Sequence, residues 1–457
     1  MANVSRRGFL KGVGMMGMGM GMMPVLSILG VEEKAKAEGL ESAVEGLKHF
    51  ANINDSDELM QAVLTESEVT SDLTMSNGTV IPAVYVRMRN RINRIGKGIG
   101  SIPMANSFEM IMELWSEKDA EDYLKMPLHK VFTSVDYAVS AGIPEEEASA
   151  ILEDQAHRNL IWRAVRGGLP VYALMPYING FWEFNELDHA LHGTIEDVAK
   201  FDSLGITGAE PNGSNGWDTT FPLFRSFPIS ADVVEGGKLK PYEDWRALIK
   251  RHKTITVSPC QCRTMWTALG VPYPKDEHPM ETCLSLGEMA EYFIENDIGR
   301  QITQEEAIAM VEDIISRGMV VESVCGKNPD IMCMCHCESC GNLMGWRGVN
   351  GEGECAKYFN AYTLEYDKDK CLKCGLCVSK CPMHSITQTE EGYVTVDNAC
   401  VRCGQCVPAC PGKARILKEI PDYPELPEDY LDCNRFFAKD RMQRGLLVDF
   451  TDSTLEV

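Results

Sequence analysis

The chain has 457 residues, 44% of them apolar, and a formal charge of −23 at pH 7. This length exceeds one core of ordinary size, so the sequence predicts several structural units of globular composition. The acidic balance repels phosphate backbones, which argues against nucleic acid as a partner. All 18 cysteines lie between positions 260 and 433, and such clustering indicates metal binding rather than a disulfide scaffold.

The first 37 residues have the features of an export signal. The segment SRRGFLK at positions 5–11 matches the twin-arginine pattern, an uncharged run follows over 12–30, and Ala35-Lys36-Ala37 offers a small-residue cleavage site. This export route is similar to the one used by proteins that acquire cofactors before they cross the membrane. We therefore expect a periplasmic protein that is soluble or peripheral to the membrane, with an uncleaved membrane-held signal as the alternative.

The next two segments, 38–104 and 105–185, differ in how clear their patterns are. The first offers a basic patch from Arg87 to Lys97, which we interpret as a solvated or docking face. In the second, Pro144 and three following glutamates predict a helix start, and strands at 161–165 and 171–175 flank a Gly-rich turn. Helices followed by such a hairpin resemble a winged-helix domain, which we interpret here as a scaffold or docking module.

Residues 186–359 are predicted to form a cysteine-rich module. Within it, residues 203–222 have the composition of a surface loop. Thr303 and Glu306 predict a capping box that opens a helix, and Gly318 predicts its end.

The strongest motif is a four-cysteine run, Cys-x2-Cys-x2-Cys-x3-Cys-Pro, that occurs twice. The two runs are Cys371, Cys374, Cys377 and Cys381, then Cys400, Cys403, Cys406 and Cys410. Two-residue gaps allow a tightly turning loop to aim three thiolates at one cube of iron and sulfide. Gly375 and Gly404 lie between the second and third cysteines, where a tight loop favours a residue without a Cβ. A pair of zinc knuckles would explain neither the third and fourth cysteines nor the prolines.

These runs resemble those of the bacterial two-[4Fe-4S] ferredoxins, in which the fourth cysteine of each run binds the other cluster. The resemblance implies a ferredoxin-like (βαβ)2 domain over residues 360–418, followed by a tail over 419–457. It implies two [4Fe-4S] clusters with these ligands: Cys371, Cys374, Cys377 and Cys410 for one, and Cys400, Cys403, Cys406 and Cys381 for the other. The expected fold class is α+β and multidomain, and His384 is interpreted as a surface side chain near a cluster.

A second group of seven cysteines precedes the ferredoxin motif. Its members are Cys260, Cys262, Cys283, Cys333, Cys335, Cys337 and Cys340. Their number exceeds the four ligands of one structural zinc site, and a third iron–sulfur cluster is the favoured interpretation. The arrangement resembles an uncharacterised cysteine-rich family in which a Cys-x-Cys-Arg segment precedes a ferredoxin repeat. Zinc and post-export disulfides are the alternatives, although Cys-x-Cys spacing disfavours a disulfide within that segment.

Four other residues near the cysteines carry weaker signals. His336 is either a ligand or a hydrogen-bond partner of a cluster sulfur. Cys325, Cys355 and Cys433 stand apart from both groups, and the sequence assigns them no role.

Three functions are compatible with these motifs. The favoured one is an electron carrier or electron-transfer subunit that exchanges single electrons with a redox partner protein. The second is a terminal reductase resembling the exported reductive dehalogenases, which combine a twin-arginine signal with a C-terminal pair of clusters and an upstream corrinoid. The third is a metal-handling protein. Gly12-Val13-Gly14-Met15-Met16-Gly17 has GxGxxG spacing but lies inside the predicted export signal, and the rest of the chain contains no GxGxxG or P-loop signature for a nucleotide cofactor.

Overall fold

The computed structural model describes residues 57–75, 78–98, 105–209 and 217–451, so the predicted export signal lies outside the described residues. The helices are α1 (Glu58–Leu64), α2 (Ala83–Asn93), α3 (Ala105–Leu114), α4 (Glu117–Tyr123), α5 (Ser134–Ala141), α6 (Glu145–His157), α7 (Trp182–His192), α8 (Ile195–Ala209), α9 (Trp245–Arg251), α10 (Gln261–Ala268), α11 (Glu288–Glu295), α12 (Gln304–Ser316), α13 (Gly341–Gly348), α14 (Leu376–Ser379) and α15 (Tyr430–Gln443). The strands are β1 (Leu73–Thr74), β2 (Val80–Ile81), β3 (Ile161–Arg166), β4 (Leu169–Leu174), β5 (Phe224–Ser226), β6 (Ile255–Pro259), β7 (Glu281–Leu286), β8 (Arg300–Gln301), β9 (Val320–Val324), β10 (Ile331–Cys335), β11 (Tyr362–Tyr366), β12 (Ile386–Gln388), β13 (Val394–Val396) and β14 (Arg415–Glu419). The fold is thus a mixture of helix and sheet, as predicted. None of the described helices is both long enough and apolar enough to cross a bilayer.

The helical part is followed by the β3–β4 hairpin. Helix α6 starts one residue later than expected, because Pro144 is its N-cap rather than its first helical residue. The two strands extend into the predicted turn and leave only Gly167 and Gly168 between them, with φ of 57° and 82°. Two positive φ angles are what a type I′ hairpin turn requires. The winged-helix interpretation stays a prediction.

Two local predictions in this part of the chain are wrong. Helix α8 continues over residues 203–209, where a surface loop was expected; its buried residues Val198 and Phe201 give it an apolar face. The basic patch is not a solvated face, because Arg89 and Arg94 are 1% and 2% exposed. Both guanidinium groups bind the C-terminal segment instead, which packs against α2.

A six-stranded antiparallel sheet in the order β5-β9-β10-β7-β6-β8 supports the cysteine-rich module. One face of the sheet is apolar and packs on α9 and α12. Helix α12 has Thr303 as its N-cap and ends just before Gly318, close to the predicted bounds. Successive strand residues alternate between faces, so the opposite face receives a different set of side chains. That set comprises Ser258, Cys283, Glu322, Cys333 and Cys335.

The C-terminal cysteine runs lie between two short antiparallel pairs, β11 with β14 and β12 with β13. Strand β13 lies between the two cysteine runs. Beyond β14 the chain forms α15, which packs against α1. The ends of the described chain are therefore held together, and the iron–sulfur loops are placed beside the six-stranded sheet by shared core residues.

Candidate metal centres

Each of two cavities in the C-terminal region is lined by four cysteines. The first, with an empty volume of about 320 Å³, is lined by Cys371, Cys374, Cys377 and Cys410. The second, with an empty volume of about 310 Å³, is lined by Cys381, Cys400, Cys403 and Cys406. These are the two sets that the ferredoxin resemblance groups together, including the exchange of the fourth cysteine between the runs.

The loops around both cavities repeat the same backbone geometry. Gly375 and Gly404 have φ of 73° and 84°, a left-handed conformation that glycine adopts without strain. Lys373 and Arg402, at equivalent positions of the two runs, both have φ of 57°. Left-handed residues between right-handed ones turn successive backbone N–H groups inward, towards an anionic centre.

Three backbone N–H groups in and after the cysteine runs donate hydrogen bonds to cysteine sulfur. Ser385 N and Ala414 N, four residues after the last cysteine of each run, donate to Cys381 Sγ and Cys410 Sγ at 3.4 and 3.3 Å. Lys373 N donates to Cys371 Sγ at 3.4 Å. Hydrogen bonds of this kind stabilise thiolate ligands and tune the potential of an iron–sulfur cluster.

The two cavities differ in their access to solvent. Cys374 of the first cavity is exposed, and the neighbouring Leu372 and Leu376 are 65% and 50% exposed. Cys403 and Cys406 of the second cavity are both 7% exposed. The first cavity therefore lies at the protein surface and the second lies further inside.

Paired four-cysteine cavities with inward amides define an iron–sulfur domain. Residues 350–415 match the family of the 4Fe-4S dicluster domain, which supports iron–sulfur binding and a role in electron transfer. Searches of curated proteins and of solved structures find no match for the chain.

Six of the seven upstream cysteines form one continuous series of thiol contacts. Cys260 contacts Cys262, and Cys262 contacts Cys340. The series continues from Cys340 to Cys335, then to Cys333 and to Cys283. Cys337 is set apart and lies nearer to Cys381 of the second cavity.

The sheet and two helices position these thiols. Cys283 on β7 faces Cys333 on β10 in the antiparallel register, and Cys335 lies two residues further on the same face. Cys260 is the N-cap of α10, and Cys340 is the N-cap of α13. Helix N-termini favour negative charge, but the Cys262 thiol and burial raise the pKa of Cys260 well above its ordinary value. Contacts with Cys262 and Cys335 lower the pKa of Cys340 to about 7.

A buried arginine lies among the same cysteines. The side chain of Arg263 is fully buried and donates to Thr282 Oγ1 at 2.6 Å and to the Met334 carbonyl at 2.7 Å. Among the described residues no carboxylate lies within ion-pair distance of it, whereas the equally buried Arg225 pairs with Glu243 at 2.8 Å. A buried cation needs a negative partner. Thiolates, or a cluster held by them, are the anions that the upstream site can offer.

Buried carboxyl groups adjoin this site, and the sequence did not signal them. Burial raises the pKa of Glu322, which is beside Cys335 and Cys340, to about 8. Burial also raises the pKa of Glu183 and of Asp202 to about 7, although the backbone N–H groups of Asn179 and Gly180 donate to the Glu183 carboxylate. Glu186 lies close enough to Cys260 to interact with it electrostatically. Their positions depend on tertiary packing, which short motifs do not record.

The three unassigned cysteines lie elsewhere. Cys325 and Cys433 are buried with their thiols in contact, next to helix α15. Cys355 is buried near Lys97. They join neither the two cavities nor the upstream series.

Proposed function

We propose that this protein is an exported electron-transfer protein with two [4Fe-4S] clusters in its C-terminal domain and a third iron–sulfur cluster upstream. One C-terminal cluster would bind Cys371, Cys374, Cys377 and Cys410, and the other Cys381, Cys400, Cys403 and Cys406. The observation that carries the proposal is the pair of four-cysteine cavities within the dicluster match. Each cluster exchanges one electron, and the protein sets its spacing and surroundings.

The upstream series supports a third cluster better than the alternatives. Six thiols joined pairwise in one series exceed the four ligands of a structural zinc site. Disulfides would leave the buried charge of Arg263 without a nearby anion, whereas a thiolate-bound cluster would supply one. Four of the six thiols would ligate a cube, and the others would line it.

A path for electrons follows from the packing. Cys335 and Cys340 of the upstream series share one buried cluster of side chains with Cys381 and Cys403 of the second cavity. The first cavity reaches the surface at Cys374. Electrons would therefore exchange with a partner protein at the first cluster, pass to the second, and reach the buried upstream site.

A terminal reductase is the second candidate, and the buried carboxyl groups favour it. Glu183, Glu186 and Asp202 lie near the inner end of the proposed path, and a carboxyl group that is protonated near neutral pH can deliver protons where electrons arrive. A substrate-reducing site would normally carry a further cofactor, since such cofactors perform chemistry that clusters alone rarely do.

Cofactor analysis of the protein, purified anaerobically after cytosolic loading, tests both candidates. We expect at least about eight iron atoms per chain with matching sulfide, about twelve with the upstream cluster, and the broad charge-transfer absorption of [4Fe-4S] centres. Alanine at Cys374 or at Cys403 should remove one C-terminal cluster. Stoichiometric zinc without iron would refute the proposal, and a stoichiometric corrinoid or flavin would favour the reductase.

A further inference from the structure

Three histidines from separate parts of the chain meet beside the second cavity. His278 precedes β7, His336 directly follows β10, and His384 lies in the loop after Cys381. The ring centroids of His278 and His336 are 4.5 Å apart, and those of His336 and His384 are 5.6 Å apart. The fold therefore brings three imidazoles together beside Cys337, whose Sγ lies within 4.8 Å of ligand atoms of His336 and His384.

A carboxylate completes this group. Glu338 Oε1 lies 3.1 Å from His384 Nε2, and Glu338 Oε2 lies 3.6 Å from His336 Nδ1. Possible ligand atoms of His278, His336 and Glu338 all lie within 4.8 Å of one another. In a tetrahedral site, two atoms that each bind the zinc ion at about 2.1 Å are about 3.4 Å apart. Shifts of up to about 1.4 Å in these interatomic distances would therefore bring the three atoms onto one ion.

The most buried member of the group has an unsatisfied ring nitrogen. His278 is 3% exposed, and its Nδ1 has no hydrogen-bond partner among the described residues. A buried polar atom without a partner costs free energy, which metal ligation can offset. At the opposite side, His384 and Glu338 are 55% and 44% exposed. An ion can therefore enter from solvent and contact the buried imidazole.

The backbone at His384 belongs to the repeated iron–sulfur loop, whereas its imidazole does not. His384 has φ of 49°, and Lys413, at the same place after the second run, has φ of 51°. The loop thus accepts lysine in this conformation. The histidine in the first run is what adds a metal-binding side chain beside His336.

We propose that His278, His336, His384 and Glu338 bind one divalent first-row transition-metal ion, separate from the iron–sulfur clusters. Imidazole and carboxylate ligands suit Zn²⁺, and three imidazoles with one carboxylate supply the four ligands of a tetrahedral site. The ion would connect the segment after β10 to the loop after Cys381. These two segments already touch, since Cys337 N donates to the Pro382 carbonyl at 3.2 Å.

Zinc binding to the cluster-loaded protein tests this site. The anaerobic protein is washed with a chelator, shown to retain its iron and sulfide, and equilibrated with Zn²⁺ by dialysis, with metals counted by mass spectrometry. We expect one equivalent of zinc that His384→Lys removes or weakens at least about tenfold, with unchanged iron. His278→Ala should have the same effect on zinc. His157→Ala, at an exposed histidine of α6, serves as the matched control and should bind zinc as the parent does.

Two outcomes would overturn the proposal. Equal zinc affinity in the parent and in His384→Lys would show that the group is only a hydrogen-bond network. Loss of iron in parallel with zinc would show that these residues serve a cluster. The lysine variant preserves the loop conformation, so misfolding does not obscure the comparison.

Discussion

Cys283 and Cys333 face each other across the β7–β10 strand pair, and their thiols are in contact. They are 50 positions apart in the chain, and only the antiparallel register brings them together. This pair connects the β7 segment to the Cys-rich segment of β10. It therefore forms one end of the thiol series in the proposed upstream site.

Replacing Cys333 by alanine should remove the upstream metal and leave the C-terminal clusters in place. If the upstream site holds a cube, iron should fall by about four atoms per chain, because a lost thiolate ligand destabilises the whole cluster. Iron and sulfide analysis measures the change, and electron paramagnetic resonance shows which signals persist. Cys355→Ala is the control, since Cys355 lies outside the series and is more deeply buried than Cys333. An unchanged iron count in Cys333→Ala would show that Cys333 is not one of the four ligands, and an unchanged count in Cys335→Ala and Cys340→Ala as well would contradict the upstream cluster.

The sequence predicted the local features well and the assembled ones poorly. The spacing of the two runs, with Gly375 and Gly404 between ligands, indicated the dicluster domain, because those constraints act within one loop. The grouping of Cys260 with Cys340, by contrast, depends on two helix N-termini that only the sheet brings together. His384, predicted to be a surface side chain near a cluster, is 55% exposed, but the sequence did not indicate that its Nε2 lies 3.1 Å from Glu338 Oε1.

Replacing Gly404 by alanine should impair the second cluster. A Cβ at this position would lie 2.7 Å from Val233 Cγ2, in a backbone with φ of 84°. Left-handed strain alone costs about 1–3 kcal/mol, and the contact adds to it. We expect a lower thermal midpoint and less iron. Gly236→Ala is the control, because Gly236 has φ of 82° with nothing within 4 Å of its Cβ position. Equal losses in both variants would show that the Val233 contact is unimportant.

The lysines beside the first cavity should influence electron exchange at the surface. Lys368 and Lys373 Nζ lie 4.2 and 4.1 Å from the ring centroid of Tyr393, in a chain of charge −23. The double change Lys368→Glu and Lys373→Glu should slow oxidation of the reduced protein by ferricyanide about three- to tenfold and accelerate oxidation by hexaammineruthenium(III). Stopped-flow absorption measures both rates.

The ionic strength of the solution provides a check on this prediction. At 1 M salt the Debye length is about 3 Å, so the difference between parent and variant should disappear. The control carries Glu at Lys118 and Lys200, two exposed lysines on α4 and α8 that give the same change of net charge. If the control slows oxidation by ferricyanide as much as the test variant does, the first cavity is not the site of electron exchange with external oxidants.

Export can be tested in the precursor. Replacing Arg6 and Arg7 together by lysine should keep the protein in the cytoplasm, because the export receptor reads the paired arginines. Cell fractionation with immunoblotting measures the location, and a variant with Lys34 and Lys36 replaced by arginine is the charge-conserving control. Periplasmic accumulation of the Arg6→Lys, Arg7→Lys variant would contradict the localisation proposal.

Asp202 should make the protein less stable as the pH rises. Its carboxyl group is fully buried, and burial raises the pKa to about 7 from an ordinary value of 3.8, with Trp182 opposing the rise. The folded state therefore holds a proton that the unfolded chain releases, and stability is lost as pH rises from about 4 through 7. Asp202→Asn should flatten this dependence. The thermal midpoint of the variant should therefore rise relative to that of the parent between pH 5 and pH 8.

Asp197 on the same helix is the natural comparison. It is exposed, and hydrogen bonds from Thr194 hold its pKa below the ordinary value. Its carboxylate therefore stabilises the fold at neutral pH and loses that effect on acidification, which is the opposite sign. The thermal midpoint of Asp197→Asn should consequently fall relative to that of the parent as pH rises from 3 to 5. Above pH 5 the difference between the two midpoints should stay constant. A constant offset between Asp202→Asn and the parent across pH 5 to 8 would mean that Asp202 is ionised in the native state.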